Sequence, residues 1–267
     1  MTAIALTIAG SDSSGGAGIQ ADLKTFAALG VYGASAITAL TAQNTRGVTG
    51  IHDVPPDFIA EQIDAVFDDL NVGAVKIGML SQPATIAVVA QSLRRHKAKN
   101  IVLDPVMVAT SGAKLISDNA IDALRRELIP LALVVTPNLP EAAVLVGASL
   151  ARNEDEMTIQ ARELLTQGAA NVLIKGGHAA GAESVDLLIG TKPGMNVRLA
   201  APRVATQSTH GSGCTLSSAI AAGLAKGLDL VDAVRAAKAY VTAAIAKADT
   251  LKVGQGHGPL HHFHEFW

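Results

Sequence analysis

Cysteine occurs once in these 267 residues, at position 214. No internal disulfide can close, so a reducing compartment is expected, with the cytoplasm as the default location. Aromatic side chains are scarce as well: five Phe, two Tyr and one Trp leave little with which to stack nucleobases. Neither sign of charge dominates. The balance of 21 Lys and Arg against 23 Asp and Glu gives no electrostatic footprint for nucleic acid or for an anionic membrane. No stretch approaches the roughly 18 uncharged apolar residues of a membrane span. The apolar opening at 2–9 lacks a basic leader and ends in Gly10-Ser11-Asp12, which predicts a buried first strand rather than a secretory signal.

What is abundant is apolar residues, at 49%, enough for one sizeable α/β core. Short β-rich runs at 4–9, 34–40, 74–77, 100–103, 133–136 and 171–174 alternate with helix-length amphipathic runs near 17–29, 57–69, 83–96, 119–128, 138–146 and 154–167. Continuous apolar strands separated by helices predict a mostly parallel central sheet with helices on both faces. After Gly176-Gly177 the rhythm changes. Runs at 184–189 and 197–200, joined by Gly190-Thr191-Lys192-Pro193-Gly194, predict a small antiparallel strand pair. Two Ala-rich helices at 213–226 and 230–248 follow, and the tail from Gly254 to Trp267 is expected to be irregular. With no internal repeat or linker, residues 1–267 read as one domain.

In such sheets ligands bind at the carboxyl ends of the strands, so the chemistry is sought just after them. The stretch Ser208-Thr209-His210-Gly211-Ser212-Gly213-Cys214-Thr215 runs into a helix, and its glycines allow a tight turn with the first helical N–H groups facing outward as an anion trap. Cys214 falls in the first helical turn, where the macrodipole is expected to lower a thiol pKa. The alternative is a plain helix entry with a small buried sulfur.

After the first strand, Gly10-Ser11-Asp12-Ser13-Ser14-Gly15-Gly16-Ala17-Gly18 fits neither a serine protease, for want of an all-β context, nor a P-loop, for want of a following Lys-Ser/Thr. Its glycines permit close approach of a small ligand, with Asp12 or Asp22 as a polar anchor, or they form a capped helix start. Gln43 carries a donor and an acceptor on one planar amide, the pairing that recognises an aminopyrimidine or pyridine edge, unless loop backbone satisfies it. Asp104 ends a strand. Asn138 and Glu141, three apart, either cap a helix or join Asp104 in a hard-oxygen set suited to Mg²⁺. Lys175, in Lys175-Gly176-Gly177-His178, can reach a phosphate or can be an ordinary turn lysine. The histidines at 257, 261, 262 and 264 have no zinc-type spacing.

The ordered set Gly10 to Asp22, Thr41-Ala42-Gln43-Asn44-Thr45, Asp104-Pro105-Val106-Met107, Thr136-Pro137-Asn138-Leu139-Pro140-Glu141, Lys175-Gly176-Gly177-His178 and Thr209 to Leu216 resembles the hydroxymethylpyrimidine/phosphomethylpyrimidine kinases of thiamine biosynthesis, a branch of the ribokinase-like superfamily. The likeness runs in order through essentially the whole chain, including Gly256-His257-Gly258-Pro259. It implies a ribokinase-like fold, ATP and Mg²⁺, a small pyrimidine alcohol as the other substrate, and a homodimer. Carried onto this sequence, it implies that Gly211, Ser212, Gly213 and Cys214 form the catalytic turn, with Cys214 where sugar kinases carry an Asp base. It also implies Asp104 and Glu141 at the metal, and Lys175, Asn138, Thr209 and His210 at the nucleotide phosphates. Gln43 would hold the pyrimidine, with Gly10, Ala17, Asp22, Met79 and Val106 around it. The turn reads Gly-Ser-Gly-Cys where Gly-Thr-Gly-Cys is usual, which keeps the hydroxyl. Cys at the base position also occurs in enzymes that phosphorylate pyridoxal, so a pyridoxal or dual-specificity kinase stands as the alternative; a non-catalytic sensor would lack a reason to keep Asp104, Glu141, Lys175 and Cys214 together.

Overall fold

A computed structural model describes residues 1–107, 116–177, 181–192 and 195–267. His178 and the Pro193-Gly194 pair, both part of motifs singled out above, lie outside them. The chain runs β1 (Ile4–Ala9), α1 (Gly18–Ala28), β2 (Tyr32–Ile37), β3 (Ala39–Asn44), β4 (Gly47–Asp53), α2 (Pro56–Asp69), β5 (Ala74–Ile77), α3 (Pro83–Arg95), β6 (Ile101–Leu103), α4 (Asp118–Glu127), β7 (Val134–Val135), α5 (Leu139–Val146), α6 (Glu154–Thr166), β8 (Asn171–Lys175), β9 (Glu183–Gly190), β10 (Asn196–Pro202), α7 (Ser212–Ala225) and α8 (Leu230–Ala246).

Eight strands form one sheet in the order β10-β9-β8-β7-β6-β5-β1-β2. The pairs from β2 through β1 and β5 to β8 are parallel, whereas β8–β9 and β9–β10 are antiparallel. The expected hairpin therefore exists as β9–β10, but it extends the main sheet instead of standing apart. Alternate side chains of the central strands go to opposite layers: Leu6, Ile8, Val75 and Ile77 pack with α2 to α6, while Ala5 and Ala74 pack with Phe26 of α1 and the Ala-rich faces of α7 and α8. At roughly 1.5–3 kcal/mol for each large apolar side chain taken from water, these two layers supply the main driving force for folding. Small residues at α7–α8 let the backbones approach closely; a Cβ on Gly223 would sit 3.0 Å from that of Ala233.

The strand expected at 34–40 is in fact two. After Ile37 the chain leaves the sheet, Thr38 donates its N–H to Ala9 O and its hydroxyl to Met79 O, and β3 then pairs antiparallel with β4 as a separate two-stranded flap with a bulge at Ala42/Gln43. The alternation of small and polar residues in 39–53 is what this exposed, two-stranded arrangement requires, yet it lacks the apolar density that marks a buried strand. Because β2 and β5 flank β1 on opposite sides, successive crossovers diverge there, and the carboxyl ends of β1 and β5 open the crevice in which such sheets bind ligands. Among the described residues, no helix is long and apolar enough to cross a membrane.

Candidate active site

The first turn of α7 is shaped by Gly211, which holds φ at 80° as the helix N-cap. An added Cβ there would lie 1.9 Å from Gly16 O, so only glycine both adopts this left-handed conformation and lets the two loops touch. Ser212 N–H donates to Thr209 O at 3.1 Å. Helix geometry leaves the N–H groups of Gly213 and Cys214 without an intrahelical acceptor, and the positive end of the helix dipole lies with them. Of the first helical N–H groups, that of Ser212 is thus committed to the turn.

Facing this turn is a cluster of charge. A Cβ on Gly213 would be 3.3 Å from Lys175 Nζ and 3.6 Å from Asp104 Oδ2. Lys175, at the end of β8, donates to Asp104 Oδ1 at 2.7 Å and stands 3.9 Å from Glu141 Oε2. Asp104 follows β6 and also accepts hydroxyl hydrogen bonds from Thr136 at 3.2 Å and Ser217 at 3.3 Å. Asn138 and Glu141 form a reciprocal capping box at the start of α5: Asn138 N–H donates to Glu141 Oε2 at 2.7 Å, and Glu141 N–H to Asn138 Oδ1 at 2.9 Å. The capping reading is the one seen, and the cap fixes Glu141 next to Lys175.

Burial pushes the Glu141 carboxyl up to about 7, with Asp104 adding to the rise and Lys175 opposing it. Burial also works against the Lys175 charge, but Asp104 and Glu141 outweigh it and hold the ammonium above its ordinary value. No group of three or more His, Cys, Asp or Glu among the described residues could cage a metal ion. Asp104 Oδ2, which Lys175 leaves to the Ser217 hydroxyl, and Glu141 are nevertheless hard-oxygen donors of the kind Mg²⁺ takes.

Cys214 is half-buried, and the Gly18 N–H that opens α1 donates to its sulfur. Beneath lies an ion pair with no exposure at all, Lys76 of β5 with Asp22 of α1 at 2.8 Å. Here the expectation of a lowered thiol pKa is corrected: burial pushes the Cys214 thiol up to about 11, the nearby Asp22 and Asp104 charges add to this, and Lys76 and the Gly18 amide only partly offset it. Asp22 is also corrected as a substrate contact. Its oxygens are taken up by Thr7 Oγ1 at 2.6 Å, Ser218 Oγ at 2.7 Å and Lys76, so it anchors β1, β5, α1 and α7 under the thiol. Lys76 was missed, although a lysine inside the apolar run Ala74-Val75-Lys76-Ile77 signals a buried charge that must have a partner.

On the other side of the first-strand loop is an apolar corner. Met79 packs with Ala39 and Val106, and a Cβ on Gly10 would strike Met79 Cε at 2.6 Å. Gly18 closes on the same loop, since its Cβ would be 2.4 Å from Gly10 O; this links the corner to the sulfur. Gly10, Met79 and Val106 therefore come together as expected, with half-buried Ala17 on the adjoining loop. Gln43 stands at the flap bulge, its amide 3.1 Å from Thr41 Oγ1 and 3.4 Å from His210 Nε2. His210 itself, expected among the phosphate ligands, is turned towards the loop and meets Asp12 Oδ2 at 2.8 Å. Thr209 contributes its carbonyl to the turn. A separate cavity of about 210 Å³ under residues 252–259 shares no lining residue with Cys214, Asp104 or Lys175.

Residues 12–261 match the family described as phosphomethylpyrimidine kinase. The chain belongs to the phosphomethylpyrimidine kinase family. It is 61% identical over 267 residues to a hydroxymethylpyrimidine/phosphomethylpyrimidine kinase of Rhizobium meliloti, covering 100% of this chain and 99% of the relative. Among solved structures, a phosphomethylpyrimidine kinase from Clostridium difficile superposes with a TM-score of 0.79 at 47% identity, over 91% of this chain and 99% of that one. The pyridoxal kinase of Bacillus subtilis, solved as an ADP complex, gives 0.89 at 38% identity over 98% of both chains. Membership of this kinase family implies use of ATP, and the ribokinase-like architecture expected from the sequence is the one these relatives share.

Proposed function

We propose that this chain transfers the γ-phosphoryl group of ATP to the hydroxymethyl oxygen of 4-amino-5-hydroxymethyl-2-methylpyrimidine, and then phosphorylates the monophosphate to the diphosphate. The observation that carries the reading is the first turn of α7, where helix-start N–H groups without an intrahelical acceptor, the Lys175–Asp104–Glu141 cluster and the only thiol converge. Phosphoryl transfer through a loose transition state needs positioning and charge neutralisation more than a strong base. The Gly213 and Cys214 amides meet the transferring oxygens as preorganised dipoles. Lys175 neutralises phosphate charge, and Cys214, as thiolate, takes the hydroxyl proton while the acceptor oxygen bonds to phosphorus and the β–γ bridging oxygen leaves with ADP. Asp104 and Glu141 would hold Mg²⁺, which would supply charge neutralisation at the nucleotide phosphates. Gln43, Met79, Val106 and Gly10 hold the pyrimidine, and the assembly is a homodimer in the cytoplasm.

The test is incubation with ATP, Mg²⁺ and the pyrimidine alcohol, followed by mass analysis. Monophosphate and then diphosphate are expected; no ATP-dependent product overturns the reading. The likeness to a pyridoxal kinase favours a second reading, dual specificity. Comparing kcat/KM for pyridoxal and the pyrimidine decides between them, with the pyrimidine expected to be the better substrate.

A further inference from the structure

The hydrogen bonds around Gln43 favour one orientation of its amide. Asp12 Oδ2 accepts from Gly16 N–H at 3.1 Å and Ala17 N–H at 2.8 Å, and Oδ1 accepts from the Ser14 N–H at 2.8 Å and the Ser14 hydroxyl at 2.7 Å. A carboxyl group so surrounded by donors is an acceptor, and His210 Nε2, 2.8 Å from Oδ2, must carry the hydrogen. Burial works to raise the Asp12 pKa, but the His210, Ser14 and Ala17 hydrogen bonds prevail and hold it well below the usual carboxylate range, which agrees.

A protonated Nε2 cannot accept from the Gln43 amide; its one hydrogen lies mainly with Asp12, and at 3.4 Å it can be shared only with the amide oxygen. At the other end, Thr41 has one hydroxyl hydrogen and two acceptors in reach, Ser11 O at 2.8 Å and the Gln43 amide at 3.1 Å. If the shorter bond to Ser11 takes that hydrogen, the Thr41 oxygen must accept from Gln43. Both ends favour the same orientation of the amide, Oε1 towards His210 and NH₂ towards Thr41.

We propose that Asp12 and His210 are positioning residues for specificity: they lock the Gln43 amide so that it offers an acceptor on the His210 side and a donor on the Thr41 side. The complementary ligand edge is an exocyclic N–H₂ beside an unprotonated ring nitrogen, as in a 4-aminopyrimidine. A ring carrying a hydroxyl or aldehyde beside carbon has no such edge. The proposal rests on the reading that Gln43 holds the substrate ring.

The experiment is a double-mutant cycle on KM for the pyrimidine alcohol, with KM for ATP and thermal melting followed in parallel. Gln43→Ala alone is expected to raise the pyrimidine KM about tenfold or more, the worth of one or two directed hydrogen bonds. His210→Ala should raise it by about as much with kcat little changed, because the released amide rotates. Combined with Gln43→Ala, His210→Ala should add less than about twofold, since a residue acting through Gln43 has nothing left to act on. His210→Gln keeps a donor to both neighbours and should recover most of the lost KM. Additive penalties, or a raised ATP KM, overturn the positioning role while leaving Gln43 as a ligand residue. An unchanged KM in Gln43→Ala instead overturns the substrate reading itself. Should His210→Ala fail to fold, a neutron map of the deuterated wild type decides: deuterium on the amide atom facing Thr41 is expected, and deuterium on the atom facing His210 refutes the proposal.

Discussion

A single cysteine at a helix start can be titrated without interference, and the structure makes a quantitative claim about it. With the thiol pushed up to about 11, its thiolate fraction at pH 8 is about one in a thousand, against about a quarter for an ordinary cysteine near 8.5. Reaction with a small disulfide reagent follows the thiolate population, which alone makes Cys214 slower by about two orders of magnitude. A more basic thiolate is also a better nucleophile. With a Brønsted slope of about 0.4–0.5 across two and a half pKa units, roughly tenfold is returned, so the net retardation at pH 8 is on the order of 20-fold. Thiopyridone release from dithiodipyridine reports the rate, with the urea-unfolded chain as the reference. Steric protection multiplies every rate by one factor, so the decisive observable is the pH profile: a rise of about tenfold per pH unit that continues to pH 10. A plateau below pH 8.5 would refute the claim and restore the dipole-lowered thiol. The same reasoning gives the enzyme a kcat that climbs with pH above neutrality, and Cys214→Ala should lower kcat by about 10²–10⁴, the usual worth of a general base, with nucleotide affinity nearly unchanged.

Two further outcomes follow from buried charge. Lys76→Met leaves Asp22 uncompensated in the core and should cost about 3–5 kcal/mol, a fall in Tm of roughly 6–20 °C for a domain of this size; the double variant with Asp22→Leu should regain much of it, and a Tm within about 2 °C of wild type for the single variant would show that the pair is not buried as described. Glu141, raised in the folded state to about 7 from 4.5, binds its proton in the native chain at pH values where the unfolded chain has lost it, so its contribution to stability is full below pH 4.5 and is lost as pH rises through 7. Urea titrations from pH 4.5 to 7.5 should show that decline and Glu141→Gln should flatten it; an unaltered slope in the variant would assign the effect elsewhere.

Most of the fold is legible in the sequence because its central strands are buried on both faces and so read as short apolar runs. The helices between them begin and end within a residue or two of where the amphipathic runs put them. The flap was not legible. Residues 39–53 are half polar and largely exposed, and the break after Ile37 is made by hydrogen bonds to Ala9 and Met79 from elsewhere in the chain. Strand ends singled out Asp104, Asn138, Glu141 and Lys175, and the glycines before α7 singled out the turn at 211–214, and the structure brings these groups together. Motif spacing could not say which polar groups look at solvent and which at each other: Asp22 is consumed by Thr7, Lys76 and Ser218, and Asp12 finds His210 across 198 positions. The thiol was misjudged for a related reason. A helix start lowers a thiol pKa only while the charge stays solvated, and here burial together with the Asp22 and Asp104 charges outweighs Lys76 and the Gly18 amide.

The stretch 208–215 joins the two halves of the site through one peptide. His210 faces back to Asp12 and Gln43, the side argued to read the ring, whereas Gly213 and Cys214 face Lys175 and Asp104, the side argued to grip phosphate. The direction changes at Gly211, whose positive φ and contact with Gly16 O permit no side chain. The loop carrying Gly16 is also the loop whose amides Asp12 holds and whose end, Gly18, donates to the sulfur. A displacement of this loop by a ligand at Gln43 would therefore be felt at the thiol and at the helix start together. With Gln43 holding the ring and the α7 turn gripping phosphate, as proposed, the Gly16 loop joins the two, which is what a kinase needs if it is to avoid spending ATP on water when the pyrimidine is absent.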